Sequence, residues 1–406
     1  MNILYICPRF PYPADRGDKV VIYNNLKYLS KKNKITLLTF VDDEKVLEEG
    51  IANLQPYCNS IETFKKRSNF SIINLVLAIA WKAPFSVIRY YSSQMIKRSK
   101  DLIESGKFDI VHIDFYYMAQ YVLNKKVKVP EKTAIILTAH NIEYIIYSKS
   151  ASFTKSPLNK LLIWLESLRI KGYEPSLFKR FDNCVVFSEL DKAHIMRLSG
   201  ATNIKVNPVC VEENNDTQSD VSEERNSILF FGRLNTLPNE DAVRFFHNEV
   251  FPLIKKDLPN VKFIIAGRFP TRYILGLTKD PAIKVINVVP DIKELLKKVS
   301  LVIVPIRLGG GIRIKILDSW AQGKAVVSTS IGAEGLEYKN KEDMIVADTP
   351  PEFKNAVIHL LKSDNLRKAI GDSALKRVRE YYNPERIITN LENIYKETLR
   401  QKGNRK

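Results

Sequence analysis

Cysteine is scarce. Cys7, Cys58, Cys184 and Cys210 are the four in 406 residues, and no two form a C-x-x-C pair. That spacing supports neither a disulfide framework nor a metal site, and it fits a reducing, cytoplasmic compartment. Long apolar runs are also missing. A membrane-spanning helix needs ~20 apolar residues, and the longest run here, 72–81, is broken by Asn74. The opening Met1-Asn2-Ile3-Leu4-Tyr5-Ile6-Cys7 lacks a positively charged start and soon meets Pro8 and Arg9. It reads as a first strand, not a signal peptide. There is no internal repeat of 20–50 residues, no low-complexity tract and no basic–aromatic repeat, so nucleic acid is not an expected partner.

What is present describes a globular protein. Hydrophobic residues make up 45% and charged residues 27%, and 406 residues exceed one ordinary core. Two domains are therefore expected. The formal charge of +18 favours polyanions. One candidate is the anionic membrane surface, met by the basic and apolar stretch 65–100, with Lys65, Lys66 and Arg67 on one side and Arg89, Lys97 and Arg98 on the other. Solvated surface lysines are the alternative.

Both halves alternate short Val/Ile-rich strands with helical patterns. Strands are expected at 3–7, 35–40, 110–113, 134–138 and 184–187, then at 228–231, 263–266, 284–286, 301–305, 325–328 and 344–346. Helices are expected at 19–32, 238–258 and 291–299. Continuous apolar strands separated by helices indicate parallel sheets covered on both faces, hence two doubly wound α/β domains. The polar, aperiodic stretch 211–226 is the expected linker between domains 1–210 and 227–383, and 384–406 is an expected C-terminal helix and tail returning to the first domain. In such folds ligands sit at the carboxyl ends of the strands, and two such domains imply a cleft.

The most informative segment is Gly309-Gly310-Gly311-Ile312-Arg313-Ile314-Lys315-Ile316-Leu317-Asp318, which follows the apolar run Leu301-Val302-Ile303-Val304. A strand, a glycine turn and a helix start form a phosphate cradle. Two cations in the first helical turn oppose the helix dipole by ~0.3–1 kcal/mol each, and a bound anion would reverse that sign. Mid-helix, Arg313 and Lys315 would diverge, so they can share an anion only if Arg313 belongs to the turn. Lys315 and Asp318 share a face, either as a surface ion pair or as a polar stripe whose carboxylate takes ribose hydroxyls. Phe230-Phe231-Gly232-Arg233-Leu234 places an arginine just past a strand, suited to phosphate or simply to the surface. Gly17, in Pro13-Ala14-Asp15-Arg16-Gly17-Asp18, opens a helix and serves either a ligand or a turn. His140, in Thr138-Ala139-His140-Asn141, ends a strand and is a candidate, whereas His112 reads as a packed strand residue. Ser330-Ile331-Gly332-Ala333-Glu334-Gly335 is either another ligand-facing turn or an ordinary loop.

Taken together, Gly232-Arg233-Leu234, the glycine run into Ile316-Leu317-Asp318-Ser319-Trp320-Ala321-Gln322-Gly323, and Val326-Val327-Ser328-Thr329 through Gly335 resemble the donor domain of family-4 GT-B glycosyltransferases. Arg9-Phe10-Pro11-Tyr12-Pro13, Ala139-His140-Asn141-Ile142-Glu143, and Phe181-Asp182 with Ser188-Glu189 are similar to the exopolysaccharide sugar transferases of that family. The resemblance spans nearly the whole chain.

It implies two Rossmann-like domains and a retaining transferase. The donor would be a nucleotide-diphosphate sugar, with no cofactor or obligatory metal, and the acceptor a lipid-linked or oligosaccharide one. Arg233 and Lys315 would hold the diphosphate with Arg313, Asp318 the ribose, and Gly310, Gly311 and Ile312 the sugar through backbone groups. Val289 would belong to the nucleotide site, Gly17 and Asp18 would approach the phosphate, and His140 the donor sugar. Two positions depart from the family. Gly310 stands where a glutamate is usual, removing a sugar-hydroxyl contact, and Pro238 stands where a lysine is frequent. No flanking carboxylate pair of the glycosidase kind is visible, so no protein nucleophile is expected. Nucleotide-sugar epimerisation or hydrolysis, and a non-catalytic binding protein, are the competing readings.

Overall fold

The computed structural model describes residues 1–41, 46–66, 83–154, 156–213, 223–289 and 291–404. The expected apolar run 72–81 and most of the expected linker lie outside them. The chain divides into two compact units, Met1–Pro208 with Glu385–Lys406, and Val209–Pro384.

Among the described residues the first unit is built on seven parallel strands. These are β1 (Asn2–Cys7), β2 (Lys34–Val41), β3 (Ser60–Lys65), β4 (Ile110–Asp114), β5 (Ala134–Thr138), β6 (Asn183–Val186) and β7 (Ile204–Val206). Their spatial order is β3-β2-β1-β4-β5-β6-β7. Two of them, β3 and β7, were not expected. β3 reads Ser-Ile-Glu-Thr-Phe-Lys, too polar to resemble a buried strand, because it lies at the sheet edge. Along β1 the side chains alternate between faces. Ile3, Tyr5 and Cys7 join one core with Ile22 and Leu26, while Leu4 and Ile6 join the other with Val111, Leu137 and Phe178.

The terminal helix Pro384–Gly403 packs on the first of these cores through Ile388, Leu391, Ile394 and Tyr395. Polar contacts fix it there. Asn183 Nδ2 donates to Thr398 Oγ1 at 2.8 Å, and Lys402 Nζ lies 2.9 Å from Asp182. Sequence order puts this helix after the second unit, but its apolar face belongs to the first.

Among the described residues the second unit has six parallel strands, β8 (Glu224–Phe231), β9 (Lys262–Ala266), β10 (Ile283–Ile286), β11 (Val299–Val304), β12 (Val326–Ser328) and β13 (Ile345–Val346). Their order is β10-β9-β8-β11-β12-β13. Every residue of β11 is buried, as a central strand covered on both faces requires. The expected helix 238–258 is interrupted: Leu237–Phe245 and Phe251–Asp257 flank a π-helical turn, Phe246–Val250. Pro252, near the start of the later segment, cannot donate to the preceding turn.

In each sheet the chain runs outward from one central strand and then returns to its other side. The direction switches between β1 and β4 in the first unit and between β8 and β11 in the second. The loops leaving the carboxyl ends of those strands are where a doubly wound sheet opens to ligands.

Candidate active site

At the switch point of the second unit, β8 runs into Gly232, with φ of 144°. Gly267, at the end of β9, has φ of 147°, and a Cβ there would stand 1.7 Å from the Gly232 carbonyl oxygen. Two backbones cross here at a spacing that only glycine permits. Arg233 follows directly. Its Nε donates to Asn235 Oδ1 at 3.0 Å, and its guanidinium lies 4.7 Å from the Phe269 ring centre.

The loop after β11 carries the glycines. Gly309 and Gly311 have φ of 99° and 78°, which favours glycine over any side-chain-bearing residue. Arg313 holds the loop together. Its Nη1 donates to the carbonyls of Gly310 and of Gly311, the latter at 3.0 Å, and Nη2 donates to Leu308 O at 3.3 Å. With φ −88° and ψ 89° it precedes the helix Ile314–Ala321. The expectation of two cations in the first helical turn is therefore corrected. Lys315 alone lies in that turn, and Arg313 belongs to the loop, the one arrangement that lets both charges serve a single anion.

Lys315 is half-buried. Its Nζ donates to Asn239 Oδ1 at 2.9 Å and sits 4.1 Å from the Phe230 ring centre. Asn239 in turn donates from Nδ2 to the Arg233 carbonyl at 2.9 Å, so β8, its exit loop and the glycine helix meet at this ammonium. Burial, reinforced by the positive charge of Arg313, lowers the Lys315 pKa to about 7. Burial likewise raises Asp318 to about 7, against the opposing charge of Lys293. Lys315 and Asp318 form no ion pair, and among the described residues the Asp318 carboxyl has no hydrogen-bond partner. A cation and an acid held half-buried without each other are poised to take an outside partner. Gly310, Ile312 and Val289 are half-buried, and Val289 lies on the coil after β10.

The first unit gathers a second group. Gly17 begins the helix Gly17–Leu29, and the next residue, Asp18, receives Arg9 Nη1 at 2.5 Å and Arg16 Nε at 3.2 Å. Burial alone would raise the Asp18 pKa, but Arg9, Arg16 and His140 bring it below its ordinary value. Asp18 is thus occupied internally. His140 stacks on Phe115 at 4.1 Å and meets the edge of Phe187 at 5.0 Å. Its Nε2 lies 3.0 Å from Asp114 Oδ1. Asp114 is fully buried at the end of β4 and also accepts from Tyr5 Oη at 2.6 Å. Burial opposes its ionisation, yet His140 and His112 hold it well below the usual carboxylate range. An ionised Asp114 makes Nε2 of His140 the donor and leaves Nδ1 as the ring's other polar atom. His112 is fully buried, with Nε2 3.0 Å from Thr138 Oγ1 and Nδ1 2.5 Å from Tyr395 Oη, a packed strand histidine as its sequence context suggests.

Sequence reasoning missed Asn239, Asp114, Phe230 and Gly267. Asp114 carried a signal: a carboxylate directly after the apolar strand Ile110-Val111-His112-Ile113, at a strand's carboxyl end. Asn239 carried none, because its role depends on a residue 76 positions away.

Most of the second unit matches a known family. Residues 225–363 match the family model described as glycosyl transferases group 1. That segment spans β8 to the helix after β13, including the glycine loop, Lys315 and Asp318. Over those residues the second unit is similar to group 1 glycosyltransferases. Over 403 residues the chain is 23% identical to an uncharacterized 44.6 kDa protein in the cps region of Klebsiella pneumoniae, covering 96% of this chain and 98% of that one. Among solved structures it is similar to a mutant of S. aureus TarM in complex with Fondaparinux, alpha-GlcNAc-glycerol and UDP. The TM-score is 0.72 at 11% identity, over 97% of this chain and 100% of that one. Anabaena HepE in complex with UDP and glucose gives 0.67 at 13% identity, over 98% and 100%. The fold is GT-B: two Rossmann-like units, each a doubly wound parallel sheet.

Proposed function

We propose that this protein is a retaining, metal-independent glycosyltransferase. It would move a sugar from a nucleotide-diphosphate sugar to a lipid-linked saccharide acceptor during cell-surface polysaccharide assembly, at the cytoplasmic face of the membrane. The observation that carries the reading is the half-buried Lys315, held without a carboxylate beside Arg313 at the carboxyl end of β11. A diphosphate supplies the charge this site lacks. The relative encoded in a cps region supports the polysaccharide setting, and the solved neighbours holding UDP and sugars support the donor class.

In this reading Arg233 and Lys315 grip the diphosphate, while Arg313 holds the loop and adds its charge. Asp318 accepts from ribose hydroxyls, Val289 lines the base, and Gly310, Gly311 and Ile312 offer backbone groups to the sugar. Gly17 and His140 are assigned to the donor phosphate and sugar from the first unit, with Asp18 acting through Arg9 and Arg16, whose guanidiniums it holds. During transfer the bond from the anomeric carbon to the phosphate oxygen breaks, and a bond to the acceptor oxygen forms on the same face. The acceptor's proton passes to a donor phosphate oxygen. Cations and helix N–H groups aimed at the leaving diphosphate stabilise its developing charge, commonly the largest catalytic contribution.

A thermal-shift screen of nucleotide sugars identifies the donor, since a bound ligand raises stability by mass action. Product analysis with that donor, with and without saccharide acceptors, then tests transfer. Free sugar or an epimer as the only product would replace the transferase reading with hydrolysis or epimerisation. Binding without any turnover would leave a binding protein.

A further inference from the structure

Helix Pro157–Phe178 of the first unit is amphipathic in an unusual sense, because its solvent side carries the large apolar residues. Leu158, Leu161, Leu162, Trp164, Leu165 and Leu168 are each between 40% and 66% exposed. At 100° per residue they fall within an arc of about 160°. The opposite side, with Glu166, Ser167, Ile170, Glu174 and Leu177, is buried against the unit. Phe153, at the end of the preceding helix, is 50% exposed as well. Scattered exposed leucines are ordinary, but five leucines and a tryptophan on one stripe mark an interaction surface.

The surrounding charge decides the partner. From residue 144 to residue 181 the sequence holds seven Lys and Arg, and its two carboxylates, Glu166 and Glu174, are both buried. Lys160 and Lys171 are exposed along one border of the stripe, and Arg169 lies near the other, between Leu158 and Leu162. Two copies meeting through this face would set like charges against each other. An anionic bilayer satisfies both components: leucines and a tryptophan enter the acyl boundary while the flanking cations meet lipid phosphates. No helix among the described residues is long and apolar enough to cross a membrane.

We infer that the exposed face of helix Pro157–Phe178 docks the protein onto an anionic lipid surface. The inference rests on the transferase reading only for its purpose, which is to bring the chain to a lipid-linked acceptor. The docking itself is a property of this helix and is measured without any donor.

Vesicle flotation of the full chain is the test, with phosphatidylglycerol/phosphatidylcholine vesicles against phosphatidylcholine alone at low salt. The parent chain should float with the anionic vesicles, and less so with the neutral ones. Leu161→Ser with Leu165→Ser should weaken binding roughly tenfold or more, and Lys160→Glu with Lys171→Glu should do the same only on anionic vesicles. These side chains point to solvent, so melting curves should match the parent. Trp164 gives a local readout, because its fluorescence should shift blue on binding and the shift should vanish in Trp164→Phe. Equal flotation of parent and variants, or no flotation of the parent, would overturn the inference. So would a dimer in solution that the leucine variant returns to monomer without any lipid binding. Activity on a water-soluble acceptor is the separate control. Absence of that activity in the parent chain speaks against the transferase reading, and its retention in a variant that no longer floats isolates the docking face.

Discussion

Lys315 makes the diphosphate assignment quantitative through pH. In the free protein its pKa lies at about 7, against an ordinary 10.5, because burial and Arg313 disfavour the charged form. A diphosphate beside it reverses that preference and restores a value near the ordinary one. Between pH 7 and 10.5 binding must therefore take up a proton, and affinity should fall as pH rises, by up to about tenfold per unit. Below pH 7 this dependence disappears. Asp318, also at about 7, works in the other direction, since its ionised form accepts ribose hydroxyls, but that effect saturates by about pH 8. The window from pH 8 to 9.5 thus isolates the lysine. Calorimetry with UDP in buffers of differing ionisation enthalpy reads both the affinity and the proton uptake. Lys315→Arg, charged throughout, should flatten the slope. Lys315→Ala should lose one charge-assisted contact of ~1.5–3 kcal/mol, or about 10- to 150-fold in affinity. A flat profile in the parent, or an alanine variant within twofold of it, would refute the assignment. Without ligand the sign is opposite. The unfolded chain binds more protons between pH 7 and 10.5, so this lysine makes folding stability rise with pH in that range.

Two further expectations concern the scaffold. Gly267→Ala should cost ~3 kcal/mol or more in urea unfolding, from a Cβ driven into the Gly232 carbonyl at positive φ, whereas Gly172→Ala, with nothing within 4 Å, should gain ~1 kcal/mol of helix propensity. Glu174 accepts from the backbone N–H groups of Glu143 and Tyr144 at 3.1 Å each, yet burial, with the charge of Glu143, raises its pKa to about 8. The folded form holds its proton longer than the unfolded one, so stability should fall as pH rises from about 4.5 to 8. Glu174→Gln should remove that slope in melting curves recorded across the range.

Much of the architecture was written in short-range pattern. Continuous apolar strands such as β11 and the helices between them are local features, and they identified two doubly wound sheets. The glycine run was equally legible, since a loop with positive φ, as at Gly309 and Gly311, calls for glycine wherever it occurs. Edge strands were less so, because β3 buries too little to be distinguished from a loop. The terminal helix shows a periodic apolar face, but which residues that face covers, Ile3, Tyr5 and Cys7 among them, is set by tertiary packing.

Side-chain placement was decided by tertiary structure. The sequence put Arg313 and Lys315 two residues apart, but not that one would bind its own loop while the other reached Asn239. It placed His140 at a strand end, but not that Asp114 would fix which nitrogen is protonated. The leucines of helix Pro157–Phe178 have a spacing that suits a core as well as a surface. Hydrophobic periodicity gives the existence of an apolar face, and only the packing of the rest of the chain determines whether that face is covered.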